Sequence, residues 1–209
     1  MKKIYLFLFI FALLLTTSVA LANGALSRDG LAPTQISPST ASTISIADSV
    51  TGFPDVAYFT VNVPAGHQLD AIRLMEDSTG DGVYWFAVMS GNQFTENSTN
   101  SGEINVNNLL GHAHIGSANG DLNQNLLPAM GINGQGFTPP LSEGAYSFRI
   151  QNWGSGGTFA LDAEVSANPT TAVTALHGIA DHGTSLSQIT LAIVFTTLAT
   201  VGFYFLERK

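Results

Sequence analysis

The pattern of apolar and polar positions predicts that the middle of the chain is built from short β-strands. Residues 56–63 read VAYFTVNV, which mixes β-branched and aromatic residues and ends in an alternation of apolar and polar positions. Residues 83–89 read VYWFAVM, a continuous apolar run that favours a strand buried on both faces. No amphipathic helix longer than two turns is evident between residues 23 and 168. The pattern therefore predicts an all-β domain, a single β-sandwich or jelly roll, over residues 53–167.

Two runs near residue 150 predict a β-hairpin. Residues 144–151 and 158–165 both alternate, and the Gly-rich stretch between them is typical of a turn. The first run separates apolar from polar side chains on its two faces: Tyr146, Phe148 and Ile150 against Ser147, Arg149 and Gln151. Residues 23–52 are interpreted as an extended lead-in. Residues 31–52 are rich in Thr, Ser, Ala and Pro, and an early strand is expected around Ser42–Ala47.

The first 22 residues predict a secretory signal peptide. Two lysines precede an apolar run over residues 4–15, and Ala20 and Ala22 give the small-x-small pattern that a signal peptidase needs. We expect cleavage after Ala22. The alternative is an uncleaved N-terminal anchor, for which the apolar run is short.

The C-terminal end predicts a membrane anchor. After a linker over residues 168–187, a transmembrane helix is predicted over residues 188–206, and the 18 residues from Ile189 to Leu206 carry no charge. Such a helix is roughly 27 Å long, close to one hydrocarbon core. Arg208 and Lys209 favour a short cytoplasmic tail over residues 207–209. The alternative is a buried or interfacial helix.

Composition and charge narrow the functional classes. The chain has no cysteine, so its exported part must be stable without disulfides. From residue 23 to residue 185 there are three Arg and no Lys against 14 Asp or Glu, a net charge of −11. A surface of this charge repels nucleic acid and anionic lipid and suits calcium or cationic partners. We therefore expect no nucleic-acid partner.

The order of signal peptide, exported domain, apolar helix and basic tail resembles bacterial exosortase-sorted surface proteins of the PEP-CTERM class. That resemblance implies a sorting protease as a partner, with the protein either anchored in the membrane or released to the extracellular matrix. Two features depart from that class. The chain reads Ala180-Asp181-His182 before the helix, where the class has Pro-Glu-Pro, and the basic tail is short.

The domain itself is similar to bacterial pre-peptidase C-terminal domains. The similarity rests on Asp55–Gly66, which reads DVAYFTVNVPAG, and on the closing strands at residues 144–150 and 159–165. It implies a small β-sandwich that serves as an accessory or binding module. Residues 109–140 resemble a stretch of short exported bacterial proteins of unknown activity, which implies a location and no mechanism.

Asp77, Thr79 and Asp81 place oxygen ligands at alternate positions, with Gly82 at the sixth, like the start of a calcium loop. The twelfth position is Val88 where an EF-hand has Glu, so this is not an EF-hand. A plain turn is the alternative. The expectation is that no cofactor is bound, with calcium at this loop as the alternative.

His112 and His114 form an H-x-H pair. In a strand both side chains would point to one face at a spacing that suits a transition metal. A third ligand is not evident from the sequence, although His67, Asp121 and Glu103 are candidates. The neighbouring Gly111 and Gly116 favour the alternative, a polar loop.

Trp153 lies in a Gly-rich turn and is a candidate for stacking on a sugar, whereas Trp85 is predicted to be in the core. No G-x-S-x-G elbow and no phosphate-binding Gly loop followed by Lys is present, so no enzyme is expected. The leading hypothesis is a non-enzymatic exported surface or extracellular-matrix protein. The second is a carbohydrate-binding module with a polysaccharide partner, stabilised by calcium. A metalloenzyme using His112 and His114 is a third.

Overall fold

The computed structural model describes residues 19–20, 25–38, 41–78, 83–152 and 154–169. The chain divides into two compact units, Met1–Ala167 and Asn168–Lys209. Within the described ranges no helix is long and apolar enough to cross a membrane. Several sequence predictions lie outside the described residues, namely most of the signal peptide with Ala22, the linker from residue 170, the helix from Ile189 to Leu206, the tail with Arg208 and Lys209, and the site residues Thr79, Asp81 and Trp153.

The prediction of an all-β fold is confirmed, because strands make up 49% of the structure and form two sheets. The described strands are β1 (Val19–Ala20), β2 (Thr34–Ile36), β3 (Ser42–Val50), β4 (Val56–Val63), β5 (His67–Asp77), β6 (Tyr84–Ser90), β7 (Gly111–Ile115), β8 (Gly144–Asn152) and β9 (Gly157–Ala167). Among the described residues one short helix, α1, spans Leu127–Met130. Three 3₁₀ turns lie at Ser101–Glu103, Val106–Asn108 and Ser117–Asn119.

Sheet A has the strand order β1-β3-β9-β5, and sheet B has the order β2-β4-β8-β6-β7. Most pairs are antiparallel, but the two shortest strands, β1 and β2, pair in parallel with β3 and β4. The early strand predicted around Ser42–Ala47 is confirmed as part of β3. Because β2 and β3 supply a strand to each sheet, residues 34–50 belong to the two-sheet domain. Cleavage after Ala22 would remove β1 from sheet A.

The predicted hairpin at residue 150 is wrong. β8 pairs with β4 and β6 in sheet B, whereas β9 pairs with β3 and β5 in sheet A. The Gly-rich connection therefore carries the chain from one sheet to the other. Each strand alternates as predicted, but alternation reports which face is buried and not which neighbour a strand pairs with. Among the described strands, only β6 and β7 are both consecutive and paired.

The inner core lies between the two sheets. Phe59, Phe86 and Phe148 form its centre on sheet B, with ring centroids 5.0 Å apart for Phe59–Phe148 and 5.5 Å for Phe86–Phe148. Sheet A contributes Ile46 and Leu161, which are both fully buried in the same cluster. Offset aromatic stacking adds to the burial of apolar area, so this layer holds the two sheets together.

Sheet B is also covered on the face that points away from sheet A. The 91–110 segment, which joins β6 to β7, lies over that face and buries apolar side chains of its own against it. The resulting outer cluster consists of Val56, Tyr58, Trp85, Ala87, Phe94, Ile104 and Leu109. The prediction that the VYWFAVM run is buried on both faces is therefore confirmed, since five of the seven residues of β6 are buried.

Two sheet edges are closed by described residues. At the β5 edge, Leu69 exchanges backbone hydrogen bonds with Leu141, and Ile72 O accepts one from Leu126 N. At the β7 edge, side-chain amides of Asn133 and Asn119 donate to the backbone oxygens of His112 and His114. Occupied edge groups cannot recruit a strand from another molecule.

Two glycines with the same backbone conformation offer a matched test of how the loops join the sheets. Gly156 and Gly120 have φ of 83° and 81°. A Cβ on Gly156 would lie 2.3 Å from Val50 O, whereas a Cβ on Gly120 would have nothing within 4 Å. We expect Gly120→Ala to lower the free energy of unfolding by about 1–2 kcal/mol, from the left-handed conformation alone. Gly156→Ala should cost clearly more, because backbone must move. Urea unfolding of the full chain measures both, and equal losses would contradict the packing described.

Candidate functional site

Four side chains form a row across the outer face of sheet B. Tyr58 of β4 lies opposite Arg149 of β8, and Arg149 lies opposite Ala87 of β6. Trp85 of β6 fills the next outward position, and its ring reaches both neighbours. The Arg149 Cζ is 5.1 Å from the Trp85 ring centroid and 5.9 Å from that of Tyr58. The His112 ring on β7 is 5.9 Å from the Trp85 ring. Aromatic rings and cationic or imidazole groups thus alternate along the row.

Arg149 is completely buried, with 0% of its surface exposed. Its Nη1 donates to the backbone oxygens of Ser98 at 2.8 Å and Glu96 at 3.3 Å. Its Nη2 donates to the side-chain oxygen of Gln151 at 2.7 Å. The Nε has no hydrogen-bond partner among the described residues. The guanidinium therefore meets carbonyl dipoles and the faces of two rings, which stabilise a cation without a carboxylate.

The same side chains fasten the 91–110 segment to the sheet. Gln151 Nε2 donates to Thr99 O at 3.0 Å, next to the two carbonyls that Arg149 binds. Thr60 and Ser147 share a buried hydrogen bond of 2.9 Å, and Ser147 Oγ also donates to Gly91 O at 2.8 Å. Polar side chains of β8 thus hold the segment at two places, at Gly91 and at residues 96–99. These hydrogen bonds satisfy buried donors that would otherwise destabilise the covered face.

Electrostatics distinguish Arg149 from the other arginines of this domain. Burial lowers the pKa of the Arg149 guanidinium, and burial raises the pKa of the Tyr58 hydroxyl beside it. Arg28 forms ion pairs with Asp48 and Asp55, and Arg73 pairs with Glu164 at 2.6 Å. Arg149 makes no such pair with a described residue. An arginine remains charged even in this environment, so the loop carbonyls carry the electrostatic compensation.

The H-x-H pair lies where the covered part of the face ends. The expectation of a loop is wrong, because β7 is a strand whose Ala113 and Ile115 point into the inner core. His112 and His114 therefore both point outward, His112 half-buried beside Trp85 and His114 exposed. Burial lowers the pKa of His112, and the nearby charge of His114 lowers it further. The two imidazoles are thus close neighbours on one face.

The predicted third metal ligands are not brought to this pair. No group of three or more His, Cys, Asp or Glu that could hold a metal occurs among the described residues. Asp121 accepts a hydrogen bond from Gly116 N, and Glu103 accepts from Ser98 and Asn100. His67 lies on β5 in the other sheet. A closed three-histidine or His-carboxylate centre is therefore not formed by the described residues.

Asp77, the one described residue among the three predicted calcium ligands, has a structural partner. Asp77 Oδ2 accepts hydrogen bonds from both the backbone N and the Oγ of Ser117, each at 2.8 Å. Asp77 thus ties the end of β5 to the turn after β7. Thr79 and Asp81 lie outside the described residues, so the calcium site stays a prediction.

The turn that contains residue 153 is fixed on both sides of it. Asn152 Oδ1 accepts from Gly154 N at 2.7 Å and from Gly156 N at 3.1 Å. The loop after β3 packs against this turn, since a Cβ on Gly52 would lie 2.3 Å from Gly154 O. Phe53 in that loop is 56% exposed, an unusual position for an aromatic ring. Trp153 itself lies outside the described residues.

The sequence pattern did not indicate that Arg149 is buried. The alternation in β8 correctly placed Arg149 on the face opposite to Phe148 and Ile150. A signal was present nonetheless. Arg149 is one of only three Arg or Lys residues between positions 23 and 185, and it lies in the middle of a strand on the same face as Gln151.

Comparison with known proteins adds no relative to this picture. No protein-family model matches the chain, and no curated protein matches it significantly.

Replacing Arg149 should detach the 91–110 segment. Arg149→Met leaves the carbonyls of Glu96 and Ser98 without a donor, and we expect it to lower the free energy of unfolding by about 2–4 kcal/mol. Hydrogen exchange should rise most within residues 94–104. The matched control is Arg73→Met, which removes a half-exposed ion pair and should cost at most about 1 kcal/mol. Similar losses in the two variants, or uniform exchange over the whole domain, would contradict this role.

Proposed function

We propose that the chain is a non-enzymatic, exported surface or extracellular-matrix protein that displays its two-sheet domain as a β-sandwich. The observation that carries this proposal is the division of the chain. A cysteine-free domain with its own core ends near residue 167, and the second compact unit contains the apolar stretch predicted as an anchor or sorting signal. Predicted export and predicted anchoring at opposite ends leave the domain between them as the displayed part.

The chemistry of the outer face supports a display or binding role better than catalysis. Arg149 and Gln151, two polar groups of the kind that active sites use, direct their donors to the carbonyls of residues 96, 98 and 99. Groups used in this way stabilise a loop and are not aimed at a substrate. The net charge of −11 between residues 23 and 185 favours a soluble outer surface that avoids anionic lipid headgroups.

The intact mass of the protein from its native cells tests the proposal. Export predicts a chain that begins at Asn23. Retention of the helix predicts an end at Lys209 and a membrane-bound protein, whereas a sorting protease predicts an end between residues 181 and 187 and a released protein. The control variant Ala20→Arg, which blocks signal-peptidase recognition, should keep the precursor mass. A chain that still begins at Met1 and fractionates with the cytoplasm would refute export.

A carbohydrate-binding role is the second candidate, and Phe53 favours it. This ring is exposed in a loop that packs directly against Gly154 and Gly156. These two glycines follow Trp153 in the sequence. An exposed aromatic ring offers the apolar face that stacking on a sugar uses. The adjoining turn is held by Asn152, so the loops are fixed before any ligand arrives.

Binding to soluble polysaccharides tests this second role. If it is correct, Phe53→Ala and Trp153→Ala should each weaken binding at least about tenfold, because each removes roughly 1.5–3 kcal/mol of buried contact. Leu31→Ala is the control, since Leu31 is 49% exposed and lies in a different segment. Affinity electrophoresis in gels that contain the polysaccharide gives the measurement, with and without calcium. Equal retardation of all three variants would exclude these loops as the site.

A further inference from the structure

The search for further chemistry leads to His112 and His114, which the proposed function does not use. Both side chains project from the same face of β7. The alternate residues Ala113 and Ile115 point into the inner core, so His112 and His114 point outward. In a strand, residues two apart are separated by roughly 6.6 Å. That spacing lets two imidazoles converge on one ion, since each ligating nitrogen lies about 2.0–2.1 Å from the metal.

The backbone beneath this pair is held in place. β7 pairs along its length with β6, and the opposite edge is held by the amides of Asn133 at 2.9 Å from His112 O and Asn119 at 3.3 Å from His114 O. Helix α1 packs against β7 as well. Two ligands on a strand fixed at both edges need little ordering when an ion binds, which favours binding.

The surroundings admit a cation. His114 is exposed and His112 is half-buried, so solvent reaches the pair. The part of the chain between residues 23 and 185 carries 14 acidic residues against three basic ones, and a surface of that sign concentrates cations. Imidazole nitrogen is a ligand that copper, nickel and zinc prefer, whereas calcium and magnesium require oxygen.

We propose that His112 and His114 form a two-imidazole site on the outer face of β7 that binds a divalent transition metal, with its remaining coordination positions open to water or to a ligand from another molecule. The open positions follow from the absence of a third ligand among the described residues. Affinity should follow the order Cu²⁺ > Ni²⁺, with Zn²⁺ also below Cu²⁺. The site does not depend on export or on the anchor, so it stands or falls independently of the proposed function.

Trp85 gives this site an internal reporter. Its ring lies 5.9 Å from the ring of His112, and paramagnetic Cu²⁺ bound there should quench its fluorescence. The chain contains only two tryptophans, so the variant Trp153→Phe leaves Trp85 as the sole indole. The titration uses the full chain in detergent without a polyhistidine tag, and His177→Ala with His182→Ala removes the two histidines near the C-terminus.

The expected result is saturable quenching with one Cu²⁺ per chain. His112→Ala and His114→Ala should each weaken this binding at least about tenfold, since even the loss of groups behind a metal ligand costs that much. The matched control is His67→Ala. Because His67 lies on β5 in sheet A, this substitution should leave the titration unchanged. Quenching that persists in the double variant His112→Ala/His114→Ala, or that His67→Ala abolishes, would overturn the assignment.

A second measurement does not depend on whether the variants fold. Electron paramagnetic resonance of Cu²⁺ on the chain that retains His112 and His114 should show coupling to two imidazole nitrogens. A spectrum with oxygen ligands alone, or with a single imidazole, would overturn the proposal. The absence of any saturable signal up to a hundredfold excess of Cu²⁺ would do the same.

Discussion

The burial of Arg149 on the outer face of sheet B is the constraint on which the rest of that face depends. A cation removed from water must be surrounded by polar or polarisable groups, or it destabilises the fold. Here the carbonyls of Glu96 and Ser98, the amide of Gln151, and the rings of Tyr58 and Trp85 provide them. Satisfying this one charge therefore fixes the path of the 91–110 segment, and that segment in turn buries the outer cluster.

Sheet B is covered on both of its faces. Its inner face is held by the Phe59–Phe148–Phe86 stack against sheet A, and its outer face by the segment that Arg149 fastens. The chain reaches this arrangement by passing repeatedly from one sheet to the other, so that most strands pair with partners distant in sequence. Such non-local pairing is expected to slow folding, since long loops must close before the contacts form.

The position of the H-x-H pair follows from where this cover ends. On β7, His112 is half-buried beside Trp85 and His114 is exposed, whereas Trp85 itself is buried in the outer cluster beneath the 91–110 segment. Asn119 and Asn133 close the edge of β7 from the other side. A surface site thus borders directly on a buried network, and the indole of Trp85 belongs to both. The proposed histidine site is therefore adjacent to the buried row that Arg149 belongs to.

The sequence by itself determined the all-β class, the early strand in β3, the burial of the VYWFAVM run and the facing of β8, because each depends on local periodicity. The predicted hairpin failed, since β8 and β9 carry the same alternation whether they pair with each other or join opposite sheets. His112 and His114 could be recognised as a pair by their spacing, but only the pairing of β7 with β6 showed that they lie in a strand. Only the tertiary structure decided that the polar face holding Arg149 is buried, because no periodic pattern in residues 91–110 indicates which surface they cover.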